Sequence, residues 1–182
     1  ANGTTVTQTI TVAAPVLYTV TVASMLNGGA STVGKVTLTG IAPAGGVMVS
    51  LVSNNAAVSV PATVTVPEGA LSANFTATSV AVNVDTTGTV VATQGAVSKS
   101  ANVTVRAAVV SALTASPTSL KGGNNITFRV TLGSPAGPSG TVVSLTSANS
   151  AVTVPATVTV PAGASTVTFT GTTTAVTAVT SG

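Results

Sequence analysis

Cysteine, histidine and tryptophan are absent from this chain of 182 residues, and charge is nearly absent. Without cysteine there is no disulfide framework and no thiolate metal site. Without cysteine and histidine, the side chains best suited to act as a nucleophile or base near neutral pH are gone. Two carboxylates remain, Glu68 and Asp85. They flank a strand-like stretch, Leu71–Val80, so at ~3.3 Å per residue they stand roughly 30 Å apart. A glycosidase pair needs ~5 to 9.5 Å. The boundary stretch Val105–Val110 contributes no acidic oxygen for a calcium-stiffened linker. A Ser–Lys dyad built on Lys35, Lys99 or Lys121 is the residual hydrolase reading, but no nucleophile elbow or oxyanion motif accompanies it. These absences predict a protein that is not an enzyme, with no catalytic, cofactor-binding or metal-binding residue and no cofactor.

Charged residues make up 4% of the chain, against roughly 25% in ordinary globular proteins. The net charge of +3 comes from five basic and two acidic residues. Lys35, Lys99, Arg106, Lys121 and Arg129 are scattered, whereas nucleic-acid binding needs clustered cations that displace counterions. No nucleic-acid partner is expected. Hydrophobic residues reach 45%, mostly Val and Ala, but Thr and Ser interrupt every stretch before the ~18 apolar residues of a membrane helix accumulate. The mean hydropathy of +0.67 therefore reads as two-faced strands without membrane insertion. Ala1–Thr4 has neither the basic nor the long apolar region of a signal peptide, so an exported form would be a mature or excised piece. A polar surface of Thr, Ser, Asn and Gly suits an extracellular protein that is assembled or glycosylated, because low net charge favours self-association. Asn-x-Ser/Thr sites at Asn2, Asn74, Asn102 and Asn125 leave a surface glycan open, though a Thr-rich chain yields such matches by chance.

What the chain does have is repetition. The octapeptide VPATVTVP stands at Val60–Pro67 and again at Val154–Pro161, an offset of 154 − 60 = 94. Gly28-Gly29 matches Gly122-Gly123, Lys35 matches Arg129, Gly69 matches Gly163 and Phe75 matches Phe169 at the same offset. The carboxylates do not repeat, since Ala162 and Val179 occupy the matching places. So long a period in a chain of short alternating strands means tandem β-domains.

Period-two alternation predicts strands over Leu17–Val22, Val33–Ile41, Val47–Ser53, Ala57–Val60, Thr63–Val66, Leu71–Val80, Thr89–Thr93 and Val97–Val105. It predicts a second set over Val110–Ala115, Asn125–Leu132, Thr141–Ser147, Ala151–Val154, Thr157–Val160 and Ser165–Ala175. Gly, Pro and Asn clusters punctuate them. About seven short strands per ~95 residues is the count of an immunoglobulin-like sandwich. Proline cannot donate to a ladder, so Ala62–Val66 and Ala156–Val160, each bracketed by prolines, are expected to be edge strands. Phe75 and Phe169 are expected in the core, and core packing is the better reading for Tyr18 and Phe128 as well. Lys35 and Arg129 should face solvent.

The VPATVTVP strand, the Pro-x-Gly-Ala turns at Pro67–Ala70 and Pro161–Ala164, and Asn74-Phe75-Thr76 or Thr168-Phe169-Thr170 in the next strand resemble the Ig-like repeats of bacterial surface proteins, as does Ser98–Val105. The resemblance covers nearly the whole chain and implies stalks, adhesin shafts and spacers outside the cell. It departs from antibody-type domains, which carry a Trp and a Cys pair.

The repeats are out of register with the ends. Ile10-Thr11-Val12 matches Val103-Thr104-Val105, so residues 1–12 read as the closing strand of a preceding or neighbouring domain. Residues 13–107 form Ig-like domain 1 and residues 108–182 form Ig-like domain 2, which lacks its last two strands. Either the chain is an excerpt of a longer array, or Thr4–Val12 completes a neighbouring subunit by strand addition. The expectation is an all-β protein of tandem immunoglobulin-like β-sandwiches. It would be a structural repeat segment of an extracellular bacterial fibre, stalk or surface-layer protein, with partners that are further copies of itself or adjacent domains of the same chain. The alternative is an adhesin or carbohydrate-binding module.

Overall fold

The computed structural model describes residues 6–181, and every regular element in them is a β-strand. In chain order these are β1 (Leu17–Thr21), β2 (Met25–Asn27), β3 (Ser31–Leu38), β4 (Val47–Ser53), β5 (Val58–Ser59), β6 (Thr63–Val66), β7 (Ser72–Ser79), β8 (Thr86–Gln94) and β9 (Val97–Arg106). There follow β10 (Val110–Ser116), β11 (Asn125–Leu132), β12 (Thr141–Ser144), β13 (Val152–Thr153), β14 (Thr157–Val160) and β15 (Thr166–Thr173).

In the N-terminal half, two sheets face each other. One has the order β1-β3-β7-β5 and the other β2-β9-β8-β4-β6. Their inner faces share one apolar core. Val36, Leu38, Phe75 and Ala77 come from the first sheet, and Val49, Leu51, Val66, Val90, Val103 and Val105 from the second. Alternation builds this core, since successive side chains of a strand point to opposite faces. The Val, Ala and Leu at every second position go inward, and Thr, Ser and Lys go outward.

Strand β6 lies at the outer end of its sheet, paired only with β4. The proline-bracketed segment is thus an edge strand, and β14, paired only with β12, is its counterpart. Strand β2 was not among the expected strands. It is three residues long and pairs in parallel with β9, Met25↔Thr104 to Asn27↔Arg106. Its fold signal is not alternation but the pairing itself, which carries the chain from one sheet to the other and buries Leu26.

The C-terminal half has the sheet β10-β11-β15-β13 and, apart from it, the two-stranded β12-β14. The registers recur at the offset of 94. Gly34 opposes Phe75 as Phe128 opposes Phe169, and Lys35 opposes Asn74 as Arg129 opposes Thr168. Lys35 and Arg129 are both exposed. Gly46 and Gly140 have φ of 74° and 75°. A Cβ at either would meet the carbonyl oxygen of Val66 or Val160 respectively, at 2.7 and 2.8 Å.

Three expectations need correction. Tyr18 is exposed (63%), because Leu17 takes the inward place (1%) and a bulge follows it in the β1–β3 ladder. Phe169 is only half-buried, as is Phe128 opposite it, in contrast to Phe75 (5%). Its register is right, but the sheet that covers Phe75 is reduced to two strands on its side. The strand expected over Thr141–Ser147 ends at Ser144. Its counterpart β4 continues to Ser53 because Ser50–Ser53 pair with β8, and residues 145–147 have no such neighbour.

Candidate functional site

The fold makes two features of this chain available for function: the junction between its halves, and the open side of the C-terminal half. Only Ala107–Val109 separate β9 from β10. The backbone N–H of Ala107 donates to Asp85 Oδ1 at 2.9 Å, and Gly133 N–H donates to the Val109 carbonyl at 2.9 Å. Each end of the connection is therefore tied down, one to each half, and Ala108 packs against the C-terminal core. Asp85 is one of the two carboxylates of the sequence. The structure uses it as a cap on the connection, while Glu68 sits exposed in the turn after β6. Among the described residues, no three or more His, Cys, Asp or Glu side chains stand together as a metal site would need.

A second set of contacts crosses the junction. Asn83 Nδ2 donates to the Gly140 carbonyl at 2.8 Å, and Ser139 N–H donates to Asn83 Oδ1 at 3.1 Å. One primary amide thus answers a donor and an acceptor on the same turn, a two-point grip that fixes orientation as well as distance. The turn comes close enough only because residue 137 is glycine. A Cβ there would lie 2.5 Å from Asn83 N and from Val82 C. Pro135 meanwhile approaches Gly29, whose absent Cβ would touch the proline ring at 3.5 Å. A cleft of about 280 Å³ remains beside the connection, lined by Asn27, Asp85, Arg106, Ala107, Val109, Gly133 and Ser134. No pattern in the sequence announced Asn83 or Gly137, because neither repeats at the offset of 94.

The chain enters both halves alike. Thr39 N–H donates to the Val16 carbonyl at 2.8 Å, as Gly133 N–H does to that of Val109. Gln94 Nε2 donates a hydrogen bond to the Pro15 carbonyl at 3.2 Å. Upstream of this anchor, residues 6–12 form no strand, and Val6, Ile10 and Val12 are 81 to 90% exposed. Of the expected closing strand Thr4–Val12, Thr4 and Thr5 lie outside the described residues. The rest is not an integral strand of the N-terminal half, whose corresponding place is filled by β9.

On the open side of the C-terminal half lies a groove of about 910 Å³, floored by Leu113, Phe128 and Phe169 and bordered by Leu145 and Asn149. The two rings stack with centroids 5.2 Å apart. Val143, Leu145 and Asn149 are half-buried, whereas their counterparts Val49, Leu51 and Asn55 are 0 to 3% exposed. Val160, on the far side of the same core, is fully buried like its counterpart Val66. In the N-terminal half the corresponding face is covered by β8 and β9.

No protein-family model matches this chain, and no curated protein matches it.

Proposed function

We propose that this chain is a structural segment of an extracellular bacterial fibre, stalk or surface-layer protein. In this reading it consists of tandem immunoglobulin-like sandwiches, residues 13–107 and 108–182, preceded by a closing strand over residues 1–12. The units pack end to end and pair strands, and the protein works by transmitting shape and load rather than by turning over a substrate. The observation that carries the reading is the junction: a three-residue connection capped by Asp85 and a two-point grip by Asn83 on the Ser139–Gly140 turn. Flexible linkers are built from Gly and Ser; here the connection is Ala-Ala-Val, short and hydrogen-bonded at both ends. The sparsely charged, Thr-rich composition and the absence of cysteine are compatible with an assembled extracellular protein.

Small-angle scattering and residual dipolar couplings on the full chain test this. The expected result is one preferred angle between the halves, lost in Asn83→Ala, with both halves still folded. Independent tumbling of the halves in the unsubstituted chain would overturn the proposal.

A further inference from the structure

We propose that the open groove of the C-terminal half is a docking site for a closing β-hairpin. The occupant is a pair of antiparallel strands of the β8–β9 kind, with small apolar side chains inward and polar ones outward. The inference rests on the repeat reading above and is carried by the N-terminal half, which holds such a hairpin in the equivalent place.

Three elements of the receiving site are already built. The first is a free edge. In the N-terminal half Ser50, Leu51, Val52 and Ser53 pair with Thr93, Ala92, Val91 and Val90 of β8. Among the described residues no strand pairs with the matching residues 144–147 on that side, so their ladder groups are available. The second is an apolar floor of Leu113, Phe128 and Phe169. Val90, Ala92, Val103 and Val105 of β8 and β9, each 0% exposed, show which side chains cover such a floor. Among the described residues lining the groove only Lys121 is charged, which fits a hairpin whose inward side chains are apolar.

The third element is a pin. Asn55 Nδ2 donates to the Thr86 carbonyl of β8 at 2.9 Å and reaches the Val103 carbonyl of β9 at 3.4 Å, so one amide holds both strands. Its Oδ1 meanwhile accepts from Ala57 N–H at 2.9 Å. Asn149 sits in the same turn. Its Oδ1 accepts from Ala151 N–H at 2.9 Å, and Ser147 Oγ donates to its carbonyl at 2.9 Å, as Ser53 Oγ does to that of Asn55 at 3.1 Å. The turn is thus preformed without the hairpin. Asn149 lines the groove, and among the described residues its Nδ2 donates only to the Thr180 hydroxyl, at 3.4 Å.

The probe is a synthetic peptide with the sequence Thr86–Arg106, added to the full chain. Saturable one-to-one binding is expected, with slowed amide exchange over residues 144–151 and unchanged exchange in the N-terminal half. Asn149→Asp keeps the oxygen that accepts from Ala151 N–H but removes the amide donor. It should weaken binding about fivefold while leaving the turn formed. Equal binding by a scrambled peptide, or no saturable binding, would overturn the inference. So would concentration-dependent protection of 144–147 without peptide, cross-linked to residues 6–12, since it would give the groove to a second copy. If the peptide fails to bind while the halves keep one preferred angle, the hairpin inference falls alone. Free tumbling with specific peptide binding would overturn the array reading and leave the groove assignment intact.

Discussion

Gly34 and Phe75 oppose each other across the β3–β7 ladder, and the ring lies directly over the glycine. A Cβ on residue 34 would come 2.2 Å from the ring edge. In the other half the same pair is Phe128 and Phe169, and the space is found instead at Gly171, where a Cβ would meet Phe128 at 2.7 Å. The two halves fill one inward layer by different exchanges of large and small side chains. Gly34→Ala should therefore cost about 1–3 kcal/mol through overpacking, seen as a lower denaturation midpoint of the N-terminal half. An unchanged midpoint would mean that the Phe75 ring has room to move aside.

At the scale of elements, the strands were legible where alternation was long, and their ends were not. Asn125–Leu132 and Val47–Ser53 match the sequence pattern throughout. Thr141–Ser147 carries the same pattern but stops at Ser144, because a strand is completed by its neighbours and not by its own period. Tyr18 was misplaced because a bulge beside it breaks the simple count of faces. The junction was legible only as a short connection. Asn83 and Gly137 act through a contact between distant turns, which no local pattern encodes. The same dependence on neighbours predicts hydrogen-exchange behaviour. Amides of β12 and β14 should exchange faster than those of β4 and β6, despite matching sequences, because β4 has β8 beside it and β12 has no third strand. Equal protection of the two pairs would show that the C-terminal half closes by other means.

For the whole molecule, the angle between the halves depends on close approach of the Gly137 turn to Val82 and Asn83. Gly137→Ala should broaden the distribution of angles measured by scattering, since its Cβ would collide with backbone at 2.5 Å. Gly133→Ala is the matched control, because its nearest neighbour stands 3.9 Å away. The expected effect is chiefly on orientation, because the atoms that a Cβ would strike are backbone atoms of Val82 and Asn83 in the other half and not core side chains. Equal behaviour of the two variants would place the rigidity in the connection alone.

The grip at the junction has a direction. Its amide and its cap come from the N-terminal half, at Asn83 and Asp85, and its socket from the C-terminal half, at Gly137. At the matching positions the C-terminal half presents Thr177 and Val179, and the N-terminal half presents Pro43. A proline ring occupies the volume that the socket must leave empty, and neither threonine nor valine has the primary amide that addresses a donor and an acceptor together. The two units are thus alike in their ladders but keyed differently at their ends. Exchanging the order of the two halves would lose this fit. The order of the two halves is thus written into this one joint, where each side carries a part that the other lacks.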